Sequence, residues 1–146
     1  MITAITSADQ IIELWTRTYN TQGRPDWSHI LPYYADDIVF RDSIQGIQGI
    51  DEFRQMTERL ANRSQELHMN VLRAVMRDSI VFIEWEMTIS YKKNPRSVLY
   101  GASRLTLNGE GKIKEQRDYY DLWGDIFDNI PFFAKSYRKF MQKKFG

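Results

Sequence analysis

Cysteine is absent from the 146-residue chain, which excludes disulfides and thiolate chemistry and leaves the compartment open. A surplus of either charge is absent too. The chain carries 20 basic and 19 acidic residues, a formal net charge of +1, so composition gives no electrostatic case for a nucleic-acid partner. No apolar run approaches the roughly 20 residues that a membrane span needs. Met1-Ile2-Thr3-Ala4 lacks the basic segment and long apolar run of a signal peptide,, so a soluble cytoplasmic protein is the default expectation. His29 and His68 are the only histidines, and nothing around them has metal-ligand spacing. Gly101-Ala102-Ser103-Arg104 lacks the second glycine of a nucleophile elbow,, and no Gly-rich phosphate loop is present. Neither metal nor cofactor is expected.

What is present is aromatic: eight Phe, eight Tyr and four Trp, enough flat side chains to wall a cavity or to fill a core. The most informative stretch is Gly111–Trp123. It follows the turn Asn108-Gly109-Glu110-Gly111, the Gly-rich punctuation that joins antiparallel strands. Alternation sets Ile113, Glu115, Arg117 and Tyr119 on one face and Gln116, Asp118 and Tyr120 on the other. A strand interior is a poor place for Asp, so Asp118 is expected to be paired or used, and to project into a pocket.

The other segments sort readily at this length, which suits one domain, 1–146, with a sizeable core. Ser7 and Gln10 suggest a capping box, and Ile11, Leu14, Trp15 and Thr18 predict a helix over Ser7–Thr21. Asp26 is placed to cap a short helix, Trp27 to Tyr34. Tyr34-Ala35-Asp36-Asp37 then reads as a turn into the strand Ile38–Asp42, whose inward row Ile38, Phe40, Asp42 ends in a carboxylate. Ile50, Phe53, Met56 and Leu60 predict an amphipathic helix to about Asn62,. Long strands follow at Leu67–Met76, Ser79–Tyr91, Val98–Leu107 and Gly111–Leu122, with turns at Asp78-Ser79 and Lys92-Lys93-Asn94-Pro95. Val81, Ile83, Trp85, Met87 and Ile89 share one face of the second. Pro131 opens a last helix with Phe133, Tyr137, Phe140 and Met141 along one side. Lys135, Arg138, Lys139, Lys143 and Lys144 lie opposite. A membrane-surface role is one reading of that helix; the preferred one packs the aromatic row over a cavity mouth or a second subunit. Helices first and a long sheet after make the class α+β: a cone-shaped curved antiparallel sheet wrapped by the early helices.

Two motifs in this order resemble the nuclear transport factor 2-like superfamily, which includes ketosteroid isomerases, SnoaL-type polyketide cyclases and limonene epoxide hydrolases. Tyr34-Ala35-Asp36-Asp37-Ile38-Val39-Phe40-Arg41-Asp42 is similar to the isomerase segment around the catalytic base. Gly111-Lys112-Ile113 through Arg117-Asp118-Tyr119-Tyr120-Asp121-Leu122 is similar to the last strand of the epoxide hydrolases. The resemblance implies a proton-moving carboxylate at Asp42 and a water-activating carboxylate at Asp118. It also exposes departures. Ser103 stands where the isomerases keep a protonated acid. Trp85 and Met87 stand at the hydrolases' Arg-x-Asp pair, and Phe40 and Asp42 at their Tyr-x-Asn pair. Tyr19 is the only tyrosine on the first helix, where the isomerases carry an oxyanion donor. The family also implies a homodimer through the outer sheet face that bears Glu84, Glu86 and Thr88.

The expected site therefore pairs Asp118 with Asp42 in one apolar cavity, where burial raises both carboxyl pKa values and mutual repulsion raises one further. Tyr120 and Gln116 either contact substrate or hold Asp118. Trp15, Tyr19, Phe40, Trp85, Met87, Ser103 and Leu105 complete the candidate walls, although plain core would read the same. The bland alternatives are that Asp42 caps its loop and that Asp118 pairs with Arg41, Arg104 or Arg117. The leading expectation is a cofactor-free isomerase, cyclase or hydrolase acting on a small apolar molecule, terpenoid, steroid-like or polyketide. A non-catalytic binding or protein-docking module is the other.

Overall fold

The computed structural model describes residues 3–20, 24–91, 94–125 and 133–146. Helix α1 spans Ala8–Tyr19. Ser7 Oγ caps it by accepting the Gln10 amide at 3.2 Å, and Ile11, Leu14, Trp15 and Thr18 form its buried stripe. The helix stops before the expected Thr21 because Asn20 is taken by the sheet. Asn20 Nδ2 donates to the Met69 carbonyl at 2.7 Å, and its Oδ1 accepts the Met69 amide at 3.2 Å. This two-way tie fixes the end of α1, and with it Tyr19, against the sheet.

The short helix expected over Trp27–Tyr34 is corrected to a single 3₁₀ turn, Leu31–Tyr33. Pro32 has no amide to extend a helical ladder, and it disfavours helical geometry at Leu31. Asp26 does cap the preceding turn, accepting the Ser28 amide at 2.8 Å. Strand β1 is Tyr34–Arg41, so it begins four residues before the expected Ile38, and Asp42 lies just past its end. Next come β2 (Gly46–Gln48), α2 (Ile50–Arg63), β3 (Ser64–Arg77), β4 (Ile80–Tyr91), β5 (Asn94–Leu107) and β6 (Ile113–Tyr120). The one-turn α3 (Leu122–Asp125) and α4 (Phe133–Phe145) follow. Asn94 and Pro95, expected in a turn, belong to β5. Lys92, Lys93 and the helix-opening Pro131 lie outside the described residues.

The fold is α+β with a curved, unclosed six-stranded sheet in the order β2-β1-β6-β5-β4-β3. One pair departs from the antiparallel expectation: β1 runs parallel to β6, so the sheet is mixed. A parallel pair needs a long connection, and α2 with β3, β4 and β5 supplies it. Helices α1 and α2 close the concave face, and between them and the sheet sits one core that includes Ile11, Ile38, Phe53, Ile83 and Ile113.

A bulge in β6 decides which way Asp118 points. Leu107 pairs with Ile113 and Thr106 with Glu115, so Lys114 is the extra residue,. Simple alternation would put Ile113 on the face opposite Asp118. Instead Ile113 is fully buried and Gln116 is 7% exposed. The bulge lets β6 start in the core and still turn Gln116, Asp118 and Tyr120 inward. Gly111, at φ +76°, makes the turn that precedes it and donates to the Asn108 carbonyl at 3.0 Å, a backbone state that glycine adopts without strain.

Candidate functional site

The concave side of the sheet holds a chamber of about 140 Å³. Asp118 and Asp42 both line it. So do Tyr120, Gln116, Tyr19 and Trp15, with Phe40, Trp85 and Met87 on the sheet wall. Two candidates are not on its wall. Leu105 pairs with Val81 and Gln116 and is fully buried in the core, which corrects its expected place. Ser103, 1% exposed, lies behind Asp118.

Asp118 is held through one oxygen only. Ser103 Oγ donates to Asp118 Oδ1 at 2.6 Å, and Gln116 Nε2 donates to the same atom at 3.0 Å. Each donor is itself aimed. Trp85 Nε1 donates to Ser103 Oγ at 3.0 Å, which leaves the serine proton for Asp118. The Tyr34 hydroxyl donates to Gln116 Oε1 at 2.6 Å, which fixes the amide with its nitrogen toward Asp118. The amide of Gln116 is thus used at both ends, so it holds the acid. None of the ion pairs among the described residues involves Asp118; Arg104 reaches Glu115 at 3.7 Å on the other face. Oδ2 of Asp118 accepts no hydrogen bond among the described residues. It is not sealed in either: among those residues the only buried, unpartnered side-chain N or O atom is Arg104 Nε.

Burial pushes the Asp118 carboxyl up to about 6; the Ser103 and Gln116 donors pull the other way, and Asp42 adds a smaller upward push,. The phenols of Tyr19 and Tyr34 are pushed up by burial and by nearby negative charge, that of Asp118 included, so both remain protonated donors at neutral pH. Tyr19 stands edge-on to Trp27, ring centroids 5.2 Å apart.

Asp42 is engaged differently. Its Oδ1 accepts the amides of Ile44 and Gln45, each at 2.8 Å, and its Oδ2 accepts the Tyr120 hydroxyl at 3.0 Å. It caps the loop before β2 as well as facing the chamber. Tyr120 therefore links the two acids, standing two residues from Asp118 on its own strand and bonded to Asp42.

Sequence reasoning missed one side of this chamber. Phe53, Met56 and Leu60 of α2 line it; their helical spacing was legible, but it reads as core. Arg63, the last residue of α2, stands on the lining as well. Tyr34 was legible only as the start of a motif; nothing local signalled its bond to Gln116, which is 82 positions away.

A large part of the chain, residues 13–116, matches the model of the SnoaL-like domain. No curated protein matches it. Among solved structures, a hypothetical protein with a ketosteroid isomerase-like fold from Catenulispora acidiphila, in complex with trimethylamine, superposes with a TM-score of 0.73 at 17% identity. The match covers 88% of this chain and 98% of that one. An LEH-like epoxide hydrolase from M. tuberculosis gives 0.66 at 16% identity, covering 90% and 97%. A proposed SnoaL-like polyketide cyclase from Jannaschia sp. CCS1 gives 0.65 at 17% identity, covering 88% and 96%. Helices folded over an open, curved sheet, the order of the elements and the extent of the domain match agree: this chain belongs to the SnoaL-like domain family, with the nuclear transport factor 2-like fold.

Proposed function

We propose that the chamber is the active site of a cofactor-free isomerase or cyclase, in which Asp118 moves a proton on carbon next to a carbonyl. The observation that carries this reading is the asymmetry of Asp118. Two donors fix Oδ1, Oδ2 is left toward an apolar chamber, and the carboxyl sits at about 6. A base with that pKa is mostly ionised at pH 7 and releases its proton again readily. Oδ2 takes the proton, the electron pair of the broken C–H bond moves onto the carbonyl oxygen, and Tyr19 hydrogen-bonds the resulting enolate. Return of the proton to another carbon completes an isomerisation; attack of the enolate carbon on a second carbonyl within the same molecule closes a ring, the new alkoxide takes the proton held on Asp118, and the first carbonyl re-forms. Trp85 and Met87 at the hydrolases' Arg-x-Asp positions argue against the epoxide-opening variant.

The volume bounds the substrate. A cavity of about 150 Å³ admits benzene, so a chamber of about 140 Å³ suits a single ring or a compact terpenoid better than a steroid. Incubating the protein with single-ring enones in deuterated water tests the reading. Loss of the α-proton NMR signals with the native chain, and not with Asp118→Asn, is expected. Equal exchange by both proteins for every ketone tried would refute it.

A second reading has its own support: rings of Trp15, Tyr19, Trp85 and Tyr120 surround two carboxylates, a setting that also holds small ammonium ions. The trimethylamine complex of the Catenulispora protein makes that ligand the control. Calorimetry showing tight amine binding, with no proton exchange on any ketone, would favour passive binding. As for assembly, we propose a homodimer through the outer sheet face, where Val75, Phe82, Tyr100 and Tyr119 are exposed. Sedimentation equilibrium of the native chain and Phe82→Glu checks it.

A further inference from the structure

We propose that α4 is an interfacial helix that docks the protein on an anionic lipid surface. Over Phe133–Phe145 it carries five basic side chains and no acidic one. The whole chain has a net charge of +1, so the remaining residues are net negative and the positive charge is concentrated here. No residue of α4 is buried, and none lines the chamber, which corrects the expectation that its aromatic row covers the cavity mouth. Phe140 is 56% exposed and Phe145 77%.

The arrangement of the side chains names the occupant. At 100° per residue, Phe140, Phe133, Tyr137, Met141 and Phe145 fall within an arc of about 140°. Lys135, Lys139 and Lys143 lie outside that arc, and Lys144 falls within it. None of these four lysines forms an ion pair among the described residues. A second copy packed on the aromatic arc would bury the Lys144 ammonium against further basic residues. At a bilayer surface Phe140 and Phe145, the most exposed rings of the arc, sink to the level of the acyl boundary while Lys144 snorkels outward to a phosphate. Charge complementarity then selects anionic headgroups. No described helix is long and apolar enough to cross a membrane, so the contact is with the surface.

Flotation of the full chain with vesicles tests this. The probes are phosphatidylcholine vesicles and vesicles in which about a third of the lipid is phosphatidylglycerol. Binding is expected to the anionic vesicles alone and to fall at high salt. It should drop at least tenfold in Lys139→Glu/Lys143→Glu and in Phe140→Ser/Phe145→Ser. All four side chains are exposed, so thermal unfolding of both variants should match the native chain. The proposal is overturned by equal binding to both vesicle types or by binding to neither. It is also overturned by a concentration-dependent dimer that disappears in Phe140→Ser/Phe145→Ser, which would assign the face to a second copy.

Discussion

Replacing Asp118 by Asn should make this protein more stable at neutral pH and no more stable in acid. The folded state holds the carboxyl at about 6 against an ordinary 3.8. Folding therefore favours the protonated form. Between about pH 4 and pH 6 the folded chain keeps a proton that the unfolded chain has released, so stability falls as pH rises through that window and levels off above it. A gap of about two pH units corresponds to about 3 kcal/mol at neutral pH,. Asn has the same shape, its Oδ1 can accept from Ser103 and Gln116, and it carries no charge. Asp118→Asn should thus gain up to about 3 kcal/mol at pH 8, or roughly 6–12 °C in Tm for a chain of this size. The gain should shrink to nothing near pH 4. Differential scanning calorimetry of both proteins at several pH values from 4 to 8 measures it. Parallel curves, or a variant less stable at every pH, would show that burial does not strain this carboxylate. The assignment of Asp118 as a tuned base would then lose its physical ground. A destabilising charge at a site of chemistry is the usual trade of stability against activity.

Other residues give further tests. Ser103→Ala removes a donor to the charged form of Asp118, worth about 1.5–3 kcal/mol, so the Asp118 titration should move up by about one to two pH units in carboxyl-carbon NMR. Gly101→Ala would set a Cβ 2.5 Å from Trp85 Cη2 and 2.8 Å from the Tyr119 carbonyl; urea unfolding should show a loss of about 1–3 kcal/mol, with the Trp85–Ser103 bond broken. Asp42→Ala should speed hydrogen exchange at the Ile44 and Gln45 amides while leaving exchange in β4 unchanged.

Much of the frame was legible because it rests on local rules. Period-two rows placed β4 and β5 and their buried faces, and the Asn108–Gly111 turn marked the entry to β6. The misses share a cause, which is that a distant group decided a local outcome. Asn20 ends α1 early because Met69 in β3 takes its amide. Tyr34 joins a strand, where periodicity read a helix and turn, because β6 offers it a parallel partner. The bulge at Lys114 leaves no mark in composition, yet it brings Ile113 to the same side as Asp118. The site was half legible for the same reason. An Asp inside a strand is conspicuous, whereas the two relays that aim Ser103 and Gln116 at it connect residues 18 and 82 positions apart.

The two acids divide their roles by their donors. Burial with mutual repulsion is the tuning that the sequence leads one to expect; at Asp118 burial leads, and the Asp42 charge stands last among the causes. The geometry explains the order. Two backbone amides and the Tyr120 hydroxyl converge on Asp42 and disperse its charge before it can act across the chamber. Asp118 has donors on one oxygen alone and keeps its penalty. Neutralising Asp42 should therefore do little to its neighbour. In Asp42→Asn the Asp118 titration is expected to move down, and by less than Ser103→Ala moves it up. A larger downward shift in the NMR titration of Asp42→Asn would reverse the ranking and restore the paired-carboxylate mechanism.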